Sequence, residues 1–403
     1  MHKVTRGALA LVLLSLAFAS TTLAADWPQF RGPQANGTAP DEGINKNWVQ
    51  KPPAEMWRIS LSDRGFTSPS VAAGKVFIID HVEDNDVVRA LDFSTGKELW
   101  QFTYADPGKE KYGFAKAAPT FADGKLYTFS RKGLLHCLDA DSGQLIWSKD
   151  AVADLGGKVP DWHYSGSPVV DGDKLIIVHG GPEHNVIALN KDTGETLWTG
   201  GNADPISYPT PLIATIRGIR QYVVTTAGTI IGVDPDTGQV LWRAIWRARN
   251  PVNIADPVVV GDALFATTSY KLGCGLIDVT DEGGKVRWAN KELQAHFNSP
   301  VLHEGHIYGI GDPGYLVCLD PETGDLRWKQ PGFEKGGVVL VDGVVIAVNG
   351  KDGDVVMVEA TPEAYKELGR IKPLGSRSWT PPVIANGKLL IRNTRALVCL
   401  DLM

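Results

Sequence analysis

Aromatic and cationic side chains recur at one fixed place in this sequence. Three residues before a strand-opening Pro stand Phe66, Lys116, Ser165, Tyr208, Ile254, Phe297 and Trp379, with Arg64, Tyr112, Trp162, His163, Tyr164, Asn253, His296 and Arg377 close by. Brought together, they would form a funnel of stacking surfaces and charged groups able to hold a planar or sugar-like ligand. The same side chains would equally serve to plug a narrow channel. Other chemistry is less well supported. His303 and His306 fall on a short hairpin where a solvated turn is expected, and His179 and His184 sit in a Gly-Pro loop, so neither pair is read as a metal site. The chain has no Gly-x-Ser-x-Gly, no metal-spaced cysteine pair and no phosphate-binding glycine loop leading into a helix.

A repeated unit must position these residues. One phrase occurs six times between residues 92 and 328: an apolar residue, Asp or Asn, a Thr-Gly or Ser-Gly turn, then Trp. Five copies keep one spacing, running from Asp92 to Trp100, Asp139 to Trp147, Asn190 to Trp198, Asp234 to Trp242 and Asp320 to Trp328. The sixth, Asp278 to Trp288, carries two extra residues around Asp281-Glu282-Gly283-Gly284. A period of this length with alternating apolar residues means stacked strand units. The Asp carboxylate can accept turn N–H groups, Gly takes the positive φ, and Trp on the outermost strand can cover the next unit. Four short strands per unit predict an all-β, eight-bladed propeller. Its first strands should begin near Pro69, Pro119, Pro168, Pro211, Pro257, Pro300, Gly337 and Pro382. The seventh blade is degenerate, with Glu359 at the Asp position and Ile371 where Trp is expected. The eighth lacks an outer strand, while Ala54 to Trp57 supplies an orphan Trp, so an N-terminal strand should close the ring. Turns within the hairpins are short on one face. The opposite face carries long loops, including residues 101–117, 148–166 and 243–256, and is the candidate binding face.

Residues 1–24, with Lys3, Arg6, an apolar run and Thr22-Leu23-Ala24, read as a secretory signal peptide. Residues 25–53 form an N-terminal extension and 54–403 the propeller. No later segment is apolar enough to span a membrane, and no cysteine near the cleavage site could take a lipid. The protein is therefore expected to be exported, periplasmic or secreted, without a lipid anchor, and monomeric. Loss of Lys3 and Arg6 leaves 38 basic against 46 acidic residues, a net −8, which argues against nucleic acid. Cys137, Cys318 and Cys399 each stand two residues before the repeat Asp, where other blades carry Ala, and read as small core residues.

The phrase Ala-Leu-Asp-x-x-Thr-Gly-x-x-x-Trp, at Ala90 to Trp100, resembles the tryptophan-docking repeat of the quinoprotein alcohol dehydrogenase-like propellers. The opening Trp27-Pro28-Gln29-Phe30-Arg31-Gly32-Pro33 looks like the start of exported bacterial proteins with pyrroloquinoline quinone (PQQ)-like repeats. The resemblance spans nearly the whole chain after residue 24 and implies eight four-stranded blades. For function it implies two branches: dehydrogenases that use PQQ and calcium, and the non-enzymatic outer-membrane assembly branch similar to BamB. The adjacent cysteines usual in the dehydrogenases are missing, and those enzymes are typically much longer. Asp161, Glu183, Asp204, Asn253 and Asn298 offer oxygens for calcium, but no motif assigns them. The lipid-bearing cysteine of BamB is missing too. The expectation is a non-catalytic binding or scaffold module that takes a protein segment or small ligand on its long-loop face. The alternative is a PQQ- and calcium-dependent alcohol or sugar dehydrogenase. Repeated residues build blades and leave the site to the loops.

Overall fold

The computed structural model describes residues 25–62, 65–110, 112–247 and 252–403. The signal-peptide expectation lies outside them. Eight antiparallel four-stranded sheets form a ring. Their inner strands begin at Ser70, Thr120, Val169, Leu212, Val258, Val301, Val338 and Val383, one residue after each expected opener. Pro has no N–H to give to a ladder, so it suits the residue just outside an inner strand.

The repeat phrase works as its residue types predict. Asp92 Oδ1 accepts from the Thr95 N–H at 2.9 Å and from its hydroxyl at 2.7 Å, and Asp234 does the same for Thr237. The following glycines have φ between +69° and +79°. A bulge just before each Trp places the indole opposite a residue of the third strand: Ala90, Cys137, Ala188 and Cys318 face Trp100, Trp147, Trp198 and Trp328. Each indole then reaches the next blade, where its Nε1 donates to a backbone carbonyl at 2.8–3.1 Å in six seams. All four cysteines are buried and free. Trp242 is the exception. It faces the lengthened turn of blade five, and its Nε1 turns back to Gln221 of its own blade.

Blade seven departs from the sequence reading. Its register pairs Met357 with Gly369, so Gly369, not Ile371, occupies the Trp position. The vacancy is filled from elsewhere: a Cβ on Gly369 would collide with Trp48 of the N-terminal extension. Trp48 is 2% exposed and belongs to the core cluster spanning blades seven, eight and one.

The N-terminal segment does two further things. Strand Glu55–Ser60 pairs with Ala396–Asp401 and completes blade eight, closing the ring as expected. Upstream, residues 27–39 line the central channel along the inner strands. Trp27 bridges Val71 of blade one, Pro28 O accepts from Phe121 of blade two, and Thr38–Ala39 add a parallel strand to Val338–Val341 of blade seven. Arg31 is buried there, donating to Pro300 O at 2.8 Å, with Nε 3.9 Å from Asp256 of the blade five entry.

Candidate functional site

All seven residues three positions before the strand openers line one cavity of about 410 Å³ in the centre of the ring. The symmetry of the blades brings them there, because each occupies the same point on the way into an inner strand. Trp379 is the middle of an aromatic wall, with ring centroids 5.1 Å from Phe66 and 4.9 Å from Phe297. Phe297 stacks on His296 at 4.0 Å, and His296 meets Tyr270 edge-on at 5.0 Å. Trp162, 46% exposed, and Tyr112 form a second aromatic group. The loop bearing Trp162 is pinned at its backbone: its N–H donates to Tyr208 Oη at 3.2 Å, and its carbonyl accepts from Lys116 Nζ at 2.7 Å. Burial pushes Lys116 down to about 8, against the pull of nearby Glu110. Lys335 Nζ lies 5.6 Å from the Phe297 ring and 5.9 Å from that of Trp379, and the Arg377 guanidinium lies 4.5 Å over Trp379. Phe30 of the extension and Asp256 complete the lining. Buried beside Arg31, the Asp256 carboxyl is raised to about 6 by desolvation.

The expected funnel is therefore assembled in part. Phe66, Lys116, Trp162, Tyr208, His296, Phe297 and Trp379 line the cavity, and Arg377 caps one of its rings. Arg64 lies outside the described residues. His163 faces sideways, with Nδ1 2.8 Å from Glu110. Two assignments are corrected. Tyr164 is in the core, its phenol donating to His179 O at 2.7 Å and its ring 4.7 Å from Phe129. Asn253 is a buried brace that donates to Thr226 O at 2.8 Å and accepts from Thr268 Oγ1 at 2.8 Å. Position relative to a strand start does not fix which way a side chain points, and these two point into the inter-blade packing. Sequence reasoning missed Phe30, Asp256, Tyr270 and Lys335. Asp256 carried a signal, since it directly precedes Pro257 as Ser68 precedes Pro69.

A second polar cluster lies between blades one and two. His81 Nδ1 is 2.8 Å from Asp86 and 4.0 Å from Asp106, and these three could in geometry surround a metal ion. Their carboxylate oxygens already have partners, while His81 Nε2 is buried without a hydrogen-bond partner among the described residues. Asp106 takes Arg131 Nε at 2.5 Å and Lys132 Nζ at 3.1 Å, and Asp86 accepts the Tyr104 hydroxyl at 3.0 Å. This is a largely buried charge network in which both acids are paired, Asp86 with His81 and Tyr104 and Asp106 with Arg131 and Lys132.

The central cavity was tested against the quinone and calcium that the dehydrogenase branch would imply. Calcium takes six to eight oxygens, from carboxylates, carbonyls and water. Among the described lining residues the one carboxylate is Asp256, which sits beside Arg31. His296 is engaged by the Tyr270 hydroxyl at 3.0 Å and by Asp312 at 3.4 Å. The Asp256 carboxylate and the Asn298 amide, whose Oδ1 is buried without a hydrogen-bond partner among the described residues, fall short of the oxygen set that calcium takes.

A family model described as outer membrane protein assembly factor BamB matches residues 50–110 and 84–330. The chain belongs to this PQQ-like propeller family. Within it, the chain is 24% identical to the outer membrane protein assembly factor BamB of Shewanella oneidensis, over 76% of this chain and 89% of that one. It is 26% identical to the quinoprotein alcohol dehydrogenase PedH of Pseudomonas putida, over 65% of this chain but 47% of the enzyme. Among solved structures it superposes on BamB from Moraxella catarrhalis with a TM-score of 0.64 at 17% identity, covering 87% of this chain and 97% of that one. A europium-containing methanol dehydrogenase gives 0.68 at 15% identity, covering 93% and 89%. At such identities the structural likeness carries the fold alone.

Proposed function

We propose that this protein is an exported, non-catalytic binding module that engages a partner polypeptide through its long-loop face, in the setting named by its outer membrane assembly relatives. The observation that carries this reading is the central cavity: large, aromatic and cationic, its one described carboxylate set beside Arg31. Such a site can hold a ligand by stacking and charge. Among the described residues no helix is long and apolar enough to cross a membrane. The similarity to relatives named as assembly factors extends over most of both chains, whereas the dehydrogenase PedH has more than half its length outside the match.

The test is site-specific photo-cross-linking in the native host, with the photoreactive residue at position 162 on the cavity or at exposed position 219 on a short hairpin of blade four. Position 162 is expected to give a discrete protein adduct in the periplasmic fraction, and position 219 none. Calcium-dependent PQQ binding with dye-linked alcohol oxidation by the purified protein would overturn the reading.

A further inference from the structure

The charge of the central cavity is not balanced by its own lining. Two ammonium groups face it, Lys116 and Lys335, while its one described carboxylate, Asp256, already sits against Arg31. Lys116 is the more informative. Its ammonium donates to a neutral carbonyl, Trp162 O, and Glu110, the nearest acid to act on it, is held 2.8 Å from His163 and accepts the Tyr112 N–H at 2.8 Å. Burial accordingly weakens the charged form of Lys116, down to about 8. Lys335 has ring faces for neighbours, and the acid that acts on it, Asp312, makes its closer contacts with His296 and Ser269. A desolvated cation next to open volume gains most from an anion that enters with it.

The rest of the wall selects what carries that anion. Phe66, Trp379 and Phe297 present linked ring faces, and Tyr208, Tyr112 and Trp162 add further aromatic surface. Aromatic faces stack on flat rings and bind extended aliphatic chains less selectively. Two ammoniums against one carboxylate that already sits beside Arg31 leave positive charge for an entering acid to offset. Resting on the reading that the long-loop face is a binding surface, we propose that this cavity takes an aromatic carboxylate, its ring stacked in the Phe66–Trp379–Phe297 wall and its acid drawn to Lys116 and Lys335.

The chemistry has two sources, the aromatic C-terminus of a polypeptide and a free aromatic acid. Calorimetric titration of the mature protein with N-acetyl-L-tryptophan, its carboxamide and indole-3-acetate separates them. At least one acid is expected to bind, with the amide weaker by about tenfold or more. K116M and K335M should each weaken the acid by about tenfold and the amide by clearly less, since Lys116 also holds the Trp162 loop and Lys335 also covers the stacking rings. K329M, at an outer-strand lysine over Tyr315, should change nothing. Tighter binding of the acyl amino acid assigns a chain end, and tighter binding of indole-3-acetate a free acid. Equal affinity for acid and amide would overturn the proposal, as would no binding by a wild-type protein with an intact thermal transition. A specific cross-link at position 162 without binding of either acid would reject this ligand class and leave the binding-face reading standing.

Discussion

Gly143 separates two demands that the Ser-Gly turn places on one residue. Its φ is +73°, and an added Cβ would lie 2.5 Å from the Trp100 ring of the preceding blade. Gly124 has nearly the same φ, +74°, with nothing within 4 Å. G124A should therefore cost only backbone strain, about 1–2 kcal/mol, whereas G143A adds overpacking of about 1–3 kcal/mol. Urea unfolding of the two variants reads the difference, and equal losses would mean that the docked indole yields freely. Buried histidines give a second prediction. Burial holds both His136 and His179 down at about 4, so the native state keeps them neutral while the unfolded chain protonates near 6.5. Their stabilisation is complete above pH 6.5 and is lost as pH falls toward 4, by about 2 kcal/mol each at pH 5. Asp256, raised to about 6, acts with the opposite sign below that pH, so the comparison must be between variants. H136Q should lose about 2 kcal/mol less than wild type between pH 7 and pH 5; an unchanged loss would show that His136 does not titrate in that window. At this scale the seven cavity positions were legible because the blade period repeats them. Tyr164 and Asn253 were misplaced because side-chain direction is set by packing, and Lys335 and Tyr270 were missed because they arrive from outside the periodic position.

At the scale of elements, the repeat blades could be read and the N-terminal segment could not. Strand starts follow Pro, turns follow Asp-x-x-Thr-Gly, and each pattern has a local physical cause. The extension has no period, and its partners lie hundreds of residues away, as with Arg31 and Pro300. Its opening Trp-Pro-Gln-Phe-Arg-Gly was legible only as a resemblance. The structure gives that phrase a job: Trp27 and Pro28 anchor to blades one and two, Phe30 lines the cavity, and Arg31 stands beside Asp256. Trp48 likewise supplies the indole that blade seven lacks. W48A should thus behave as a core truncation, losing about 3–5 kcal/mol, although it lies outside every repeat. I371A, at the half-buried residue where sequence alone placed the docking position, should cost clearly less. Parallel urea titrations decide the order, and a larger loss in I371A would contradict the assignment of Trp48 to the seam.

For the whole molecule, closure depends on one pairing between chain ends. Seven blades are continuous in sequence, and the eighth takes its outer strand, Glu55–Ser60 against Ala396–Asp401, from the other end of the chain. Opening that ladder exposes two strand edges and uncovers Trp57, whose indole docks on blade one. Fraying there should initiate unfolding of the ring. Ser60 and Ala396 face each other next to the pair Leu61 and Arg395, whose N–H···O bond of 2.8 Å marks that neighbour as hydrogen-bonded. Antiparallel pairs alternate, so 60 and 396 form a non-hydrogen-bonded pair with close Cβ atoms, suited to a disulfide. Bridging them in S60C/A396C closes most of the chain into one loop. Chain-entropy reasoning puts the gain at about 6 kcal/mol, or roughly 7 °C in Tm for a domain of this size. The oxidised variant should also unfold more slowly than its reduced form, because the seam would no longer open first. If oxidation left the unfolding rate unchanged, unfolding would have to begin elsewhere, and the seam between blades four and five, where Trp242 turns back to Gln221, would be the place to look.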